Sequence, residues 1–315
     1  MNKKLILIGL IIIISVVFLF IVSDVENIRM QAANVAQHNT SIGNAIWVKS
    51  GDMPSVNFNL LKNAHIDTIF LNYGAIDTYG EDTVTQWIAN ANNNGIKVHI
   101  WMQVLYKDEF QNPLNDNGEI NTQLLNKNIN DSVKYASIPG VSGIVLDYIR
   151  YPGDAGDNPG GSEAINSFVA NLSNNIKNLN PNLIVSGTFM PESSRLVSDY
   201  GQDLTTLNTY LDYVIPMMYK GNYNQGSYWV ETTTRYFAEN SGDANVLVSL
   251  QTYASDDDIT QLQVSELNND IAEAYIGGTD GVAFFRYGLL DFNDFDSDVD
   301  FDVGDIFKIR FNSLF

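Results

Sequence analysis

The stretch GVSGIVLDYIRYPG, residues 140–153, carries an apolar run flanked by glycines and closed by an acid, two tyrosines, an arginine and a proline. GIVL is too short and too continuously apolar for an amphipathic helix, and reads as a strand covered on both faces. Asp147 closes that strand, and Arg150 and Tyr151 follow at once. A buried strand that ends in a charge points to the rim of a parallel sheet, where ligands are bound.

The same signature recurs along the chain. NAIWVKS (44–50), DTIFLNYGA (67–75), KVHIWMQVLY (97–106), LIVSGTFMP (183–191), DYVIPMMY (212–219), VLVSLQTYA (246–254) and GVAFFRYG (281–288) make eight candidate strands with GIVLDYIRY (143–151). Helical patterns separate them. In SEAINSFVANLSNNIKNLNP, Ile165, Phe168, Val169, Leu172, Ile176 and Leu179 fall at helical spacing, Ser162 is placed to cap the start, and Pro181 stops the run. DTVTQWIANANNNG ends on Gly95, and ITQLQVSELNNDIAEAYIGG precedes the last strand. Eight strands alternating with helices predict one (β/α)8 TIM barrel over residues 42–292.

The termini differ from this domain. After Lys3 and Lys4 an uncharged apolar run extends from Leu5 to Val22, long enough to cross a bilayer. The lysines place the N-terminus in the cytoplasm and the remainder outside it. Residues 1–23 therefore read as a transmembrane signal anchor, with a cleaved signal peptide as the alternative, and 24–41 as a polar stalk. The expected location is the cell membrane, single-pass, with the barrel outside the cytoplasm. Residues 293–315 read as an acidic segment that closes the barrel. Its Asp-x-Asp-x-Asp spacing is that of a calcium loop, but Phe301 and Phe307 replace the turning Gly and the closing Glu.

Composition narrows the chemistry. The 315 residues hold 17 Lys and Arg against 37 Asp and Glu, a formal charge of −20. Such a surface repels phosphate backbones, so nucleic acid is not an expected partner, and a neutral or cationic ligand suits it. With no cysteine, disulfides, thiolate metal sites and a Cys nucleophile are excluded. The three histidines (His38, His65 and His99) have no metal-binding spacing, and His99 reads as a satisfied histidine inside the barrel. No GxGxxG, GxxxxGK[ST] or GxSxG is present, so nucleotide binding and serine hydrolysis lack their motifs. No cofactor or metal is expected.

Barrel active sites lie at the C-terminal ends of the strands. Those ends offer Trp47, Lys49, Asn72, Tyr73, Trp101, Gln103, Asp147, Arg150, Tyr151, Glu192, Tyr219, Gln251, Tyr253, Arg286 and Tyr287. Aromatic rings suit the C–H faces of sugars, and amides and carboxyls suit their hydroxyls. Hydrolysis of a glycosidic bond needs one carboxyl to protonate the leaving oxygen and a second group to stabilise or attack the ring. Asp147 is the first candidate. Burial favours its protonated form and a close Arg150 the carboxylate. Glu192 is the first choice for the second carboxyl, with Asp77, Asp108, Glu109 and Asp256–Asp258 as rivals.

GVSGIVLDYIRYP resembles the strand-four signature of an uncharacterised family of glycoside-hydrolase-like barrels, a "DGI-x-hydrophobic-DY-x-R-[YF]-P" run. LDYVIPMMYKGNY resembles that family's strand-six signature, and GVAFFRYG its closing strand. The resemblance implies Asp147 as the key acid, Arg150 and Tyr151 as pocket residues, and Met217, Met218 and Tyr219 as floor and wall. Ser142 stands where the family has its leading Asp. A more distant similarity, to chitinase-like barrels with a "DGxDxDxE" pattern, aligns Asp147 with the last Asp, Val145 with another Asp, and Ile149 with the proton-donating Glu. The expected function is an anchored, extracytoplasmic glycoside hydrolase acting on a cell-envelope or extracellular polysaccharide. The alternatives are a catalytically inactive glycan-binding barrel and, within enzymes, action on a cationic amino-sugar polymer.

Overall fold

The computed structural model describes residues 42–293 and Phe295. The anchor, the stalk and all but two residues of the acidic C-terminal segment lie outside the described residues. Eight parallel strands close into a barrel. They are β1 (Asn44–Val48), β2 (Ile66–Asn72), β3 (Lys97–Gln103), β4 (Gly143–Asp147), β5 (Ile184–Phe189), β6 (Tyr213–Met218), β7 (Asn245–Gln251) and β8 (Gly281–Phe285). Each pairs with its neighbours in sequence, and β8 returns to β1. The helices between them include α1 (Phe58–Asn63), α2 (Glu81–Asn93), α3 (Thr122–Ala136), α4 (Gly161–Leu179), α5 (Leu204–Leu207), α6 (Ser227–Asn240) and α7 (Val264–Gly277). All eight expected strands are present, and together they form the expected (β/α)8 TIM barrel.

Strand parity decides what each side chain meets. Ala45, Trp47, Phe70, Trp101, Val145, Ile215, Leu247 and Ala283 share one buried cluster inside the barrel. Their sequence neighbours Ile46, Leu71, Ile100, Leu146, Val214, Val248 and Phe284 pack outward with the helices. His99 lies inside, fully buried, as expected. It is not satisfied: neither ring nitrogen has a hydrogen-bond partner among the described residues. Burial, and secondarily Lys97, lowers its pKa to about 3, so the ring is neutral.

The expected strands ran past the observed ones at their C-terminal ends. The reason is clearest at β4, where Tyr148 takes a φ of 58° directly after Asp147 and turns the chain out of the ladder. Residues 253–261 are a second departure. Tyr253–Ser255 and Asp258–Gln261 pair as an antiparallel hairpin above β7, so α7 begins at Val264 rather than at Ile259. In α4 the apolar stripe is buried except at Leu179, which is 46% exposed. Ser162 does not cap α4. The helix starts from Gly160 in a left-handed conformation, and Ser162 Oγ donates to the Gly201 carbonyl at 2.9 Å.

Candidate active site

A cleft of about 580 Å³ opens at the C-terminal ends of the strands. Trp101, Asp147, Met217 and Phe285 rise into it from the inward positions of their strands, and Tyr148, Arg150, Tyr223, Tyr253 and Asp256 reach it from the loops that follow.

Asp147 lies at its base with only 8% of its surface exposed. Three donors fix the carboxyl. Trp101 Nε1 donates to Oδ2 at 2.9 Å, and the Tyr148 amide and Thr188 Oγ1 donate to Oδ1 at 2.9 and 2.8 Å. Burial raises its pKa, and these hydrogen bonds oppose the rise without cancelling it. Arg150 does not decide the outcome. Its Nη1 donates to the Tyr151 carbonyl at 3.0 Å, and its guanidinium lies over the rings of Tyr148 and Tyr200. No Asp147–Arg150 ion pair forms.

Aromatic rings shape the rest. Trp101 packs edge-on against Phe285 at 6.2 Å, and Phe285 lies 5.2 Å from Tyr219. Tyr148 stacks on Tyr106 at 4.6 Å, and Tyr223 on Trp229 at 5.4 Å. The Tyr219 hydroxyl shares a hydrogen bond with Ser249 Oγ, and burial pushes its pKa well up, so it keeps its proton.

Of the sequence candidates, the structure brings Trp101, Gln103, Asp147, Arg150, Tyr219 and Tyr253 into the cleft. Trp47 sits one layer lower, buried under Trp101 at 5.1 Å, with Nε1 donating to Ser249 Oγ. Gln251 is buried behind the wall and donates to Asn222 Oδ1. Four expectations are corrected in position. Met218 faces the helices because strand parity turns Met217 inward instead. Tyr151 is buried against the first turn of α4, and its hydroxyl donates to Asn112 Oδ1. Tyr73 starts the Gly74–Tyr79 helix and packs on Tyr135. Arg286 pairs with Asp52 at 3.1 Å.

Glu192 does not line the cleft. Its two oxygens accept from Tyr200 at 2.7 Å and from Tyr223 at 3.2 Å, so it braces a wall residue. Asp256, named only as a rival, does line it. Its oxygens accept from Tyr253 and Asn222, each at 2.8 Å, and its amide donates back to Asn222 Oδ1 at 2.8 Å. Lys49, a candidate at the end of the first strand, lines the cleft as well, and Tyr148, Met190, Asn222, Tyr223 and Phe285 are further wall residues outside the sequence candidates. For Tyr148 the signal was present, since it adjoins Asp147 at a rim. For Asn222 and Tyr223 it was absent, because loop side chains follow no period. Among the described residues, no group of three or more His, Cys, Asp and Glu could hold a metal ion.

Residues 119–241, which include Asp147, Arg150, Glu192, Tyr219 and Tyr223, match the family described as "Putative glycosyl hydrolase domain". The match bears out the resemblance carried by the strand-four and strand-six motifs. Similar solved structures include the PgaB (BpsB) glycoside hydrolase domain from Bordetella bronchiseptica, with a TM-score of 0.61 and 11% identity over 79% of this chain and 95% of that one. A class V chitinase from Pseudomonas fluorescens has a TM-score of 0.58 and 16% identity, covering 80% of this chain and 96% of that one. An endo-β-1,4-mannanase from Thermotoga petrophila has a TM-score of 0.57 and 14% identity, covering 78% and 67%. At these identities the likeness is one of fold. Comparison with curated proteins gives no match.

Proposed function

We propose that this chain is a glycoside hydrolase acting on a cell-envelope or extracellular polysaccharide, with Asp147 as its proton donor. One observation carries the reading: a desolvated carboxyl, its pKa raised by burial, lies at the base of a cleft walled by aromatic rings. A general acid works best when it still holds its proton near the working pH, and burial moves Asp147 in that direction. Its proton passes to the glycosidic oxygen as the bond to the sugar carbon breaks. Water supplies the hydroxyl to that carbon and returns a proton to the carboxyl. Asp256, which lines the same cleft, would stabilise the positive charge that develops on the ring, and Glu192 supports the wall through Tyr223.

Asp147→Asn keeps the size of the side chain and cannot donate an acid proton. It is expected to lower turnover of a cleaved glycan by at least about a hundredfold. The circular dichroism and melting temperature should stay close to those of the parent. Unchanged turnover overturns the assignment.

A second reading is a barrel that binds glycans without cleaving them. It is favoured by Ile149, fully buried where chitinase-like barrels carry their proton donor. Glycan binding by the parent, with no turnover that Asp147→Asn abolishes, selects it. The apolar run after Lys3 and Lys4 further supports an anchored protein with its barrel outside the cytoplasm. Release of the full chain from membranes by alkaline carbonate would contradict the anchor.

A further inference from the structure

The protein is strongly acidic, yet its cleft carries two cations. Lys49 enters from the end of β1 and Arg150 from the loop after β4, three strands apart around the mouth. Acids outnumber bases by 37 to 17 over the chain. Several basic side chains elsewhere pair with them: Lys177 with Asp212, Lys220 with Glu266 and Asp270, Arg235 with Glu231, and Arg286 with Asp52. Among the described residues neither Lys49 nor Arg150 forms such a pair. The one hydrogen bond of the Arg150 guanidinium goes to a backbone carbonyl, and the Asp256 carboxylate is held by Tyr253 and Asn222.

We propose that the glycan taken by this cleft bears anionic groups, carboxylates of uronic-acid sugars above all, and that Lys49 and Arg150 recognise them. This rests on the reading of the cleft as a glycan site and narrows its substrate class. Guanidinium and ammonium groups without a carboxylate partner are natural receptors for a sugar carboxylate, through charge-assisted hydrogen bonds. Burial, and then the neighbouring Arg286, lower the Lys49 pKa. Asp52 and Asp256 oppose that fall without forming an ion pair with Lys49, and an incoming carboxylate would add a counter-charge in direct contact. The same carboxylate beside Asp147 would favour its protonated form, which proton donation requires. The overall charge of −20 does not forbid this. At physiological ionic strength charges more than about 8 Å away are largely screened, so the groups in the cleft decide. The expectation of a neutral or cationic ligand from net charge is therefore replaced by one drawn from local charge.

The test is affinity electrophoresis of the full chain in polygalacturonate and hyaluronan, in their carboxyl-reduced forms, in dextran sulfate and in chitosan. The carboxylated polymers should bind about tenfold or more tightly than their reduced forms. Added salt should weaken that preference, and Lys49→Gln with Arg150→Gln should bring the ratio of the two affinities close to one. Equal binding of dextran sulfate supports anion recognition with sulfate as a second source. Equal or tighter binding of the reduced polymers or of chitosan overturns the inference, even where Asp147-dependent cleavage upholds the glycosidase reading. Selective binding of the carboxylated polymers with no Asp147-dependent cleavage of any of them upholds the inference and sinks that reading.

Discussion

Asp147 is an acid whose behaviour is set by a contest between burial and three hydrogen bonds. The balance can be moved without touching the carboxyl. Thr188→Val removes one donor to Oδ1 and keeps the side-chain volume. Losing a hydrogen bond to the charged form raises the folded-state pKa further. A proton donor is inactivated as pH rises through its pKa, so the alkaline limb of the pH–rate profile should move to higher pH, by up to about one unit. A shift to lower pH would contradict the donor role. His99 shows burial without compensation. Its pKa is about 3 in the fold and about 6.5 in an unfolded chain. A depressed histidine pKa favours the neutral fold, so its contribution is fully present above about pH 6.5. That contribution is lost as pH falls toward 3, at up to about 1.4 kcal/mol per pH unit. His99→Leu should flatten this part of the curve of melting temperature against pH; the same slope in both proteins would rule the histidine out.

At the level of elements, the rim is built by loops that lock one another. The chain after β6 meets the hairpin above β7 so closely that a Cβ on Gly221 would collide with the Ala254 carbonyl oxygen. Next to this contact Asn222 bonds both the side chain and the amide of Asp256. Gly221→Ala must therefore push the hairpin and carry Asp256 with it. We expect a stability loss of about 1–3 kcal/mol, with a drop in kcat/KM larger than that loss alone would cause at a temperature where the variant stays folded. Chemical denaturation and steady-state kinetics on one preparation separate the two effects, and unchanged kinetics would show that the latch does not position the carboxylate. The β4 exit uses a different device. The left-handed turn at Tyr148 sends its ring and Arg150 to the cleft, and Ile149 and Tyr151 to the core.

Over the whole molecule, closure of the sheet turns eight separate strand ends into one mouth. Parallel neighbours in register bring Gln103 beside Asp147, and Trp101 one step below it. The interior beneath is aromatic, with Trp47 against Phe70, Trp101 and Phe285. This floor carries Trp101, whose Nε1 donates to the Asp147 carboxyl and fixes its position. The charge pattern belongs to this scale as well. A strongly negative exterior surrounds a mouth holding Lys49 and Arg150, and the response of polymer binding to salt reads the contrast directly.

The sequence by itself determined the barrel, because continuous apolar runs alternating with helical stripes can be buried on both faces in few other ways. It also singled out Asp147, because a charge ending such a run must lie at a rim, and the family motif follows from the same residues. Tertiary structure alone decided which neighbours face the cleft. Met217 rather than Met218 follows from parity counted from the barrel axis, and Tyr148 rather than Tyr151 from a backbone turn with no pattern in composition. That Asp256 rather than Glu192 lines the cleft depended on where each loop carboxylate is held, Glu192 behind Tyr223 and Asp256 at the cleft beside Tyr253 and Asn222. Loop side chains are placed by contacts between segments far apart in the chain, and periodicity holds no record of such contacts.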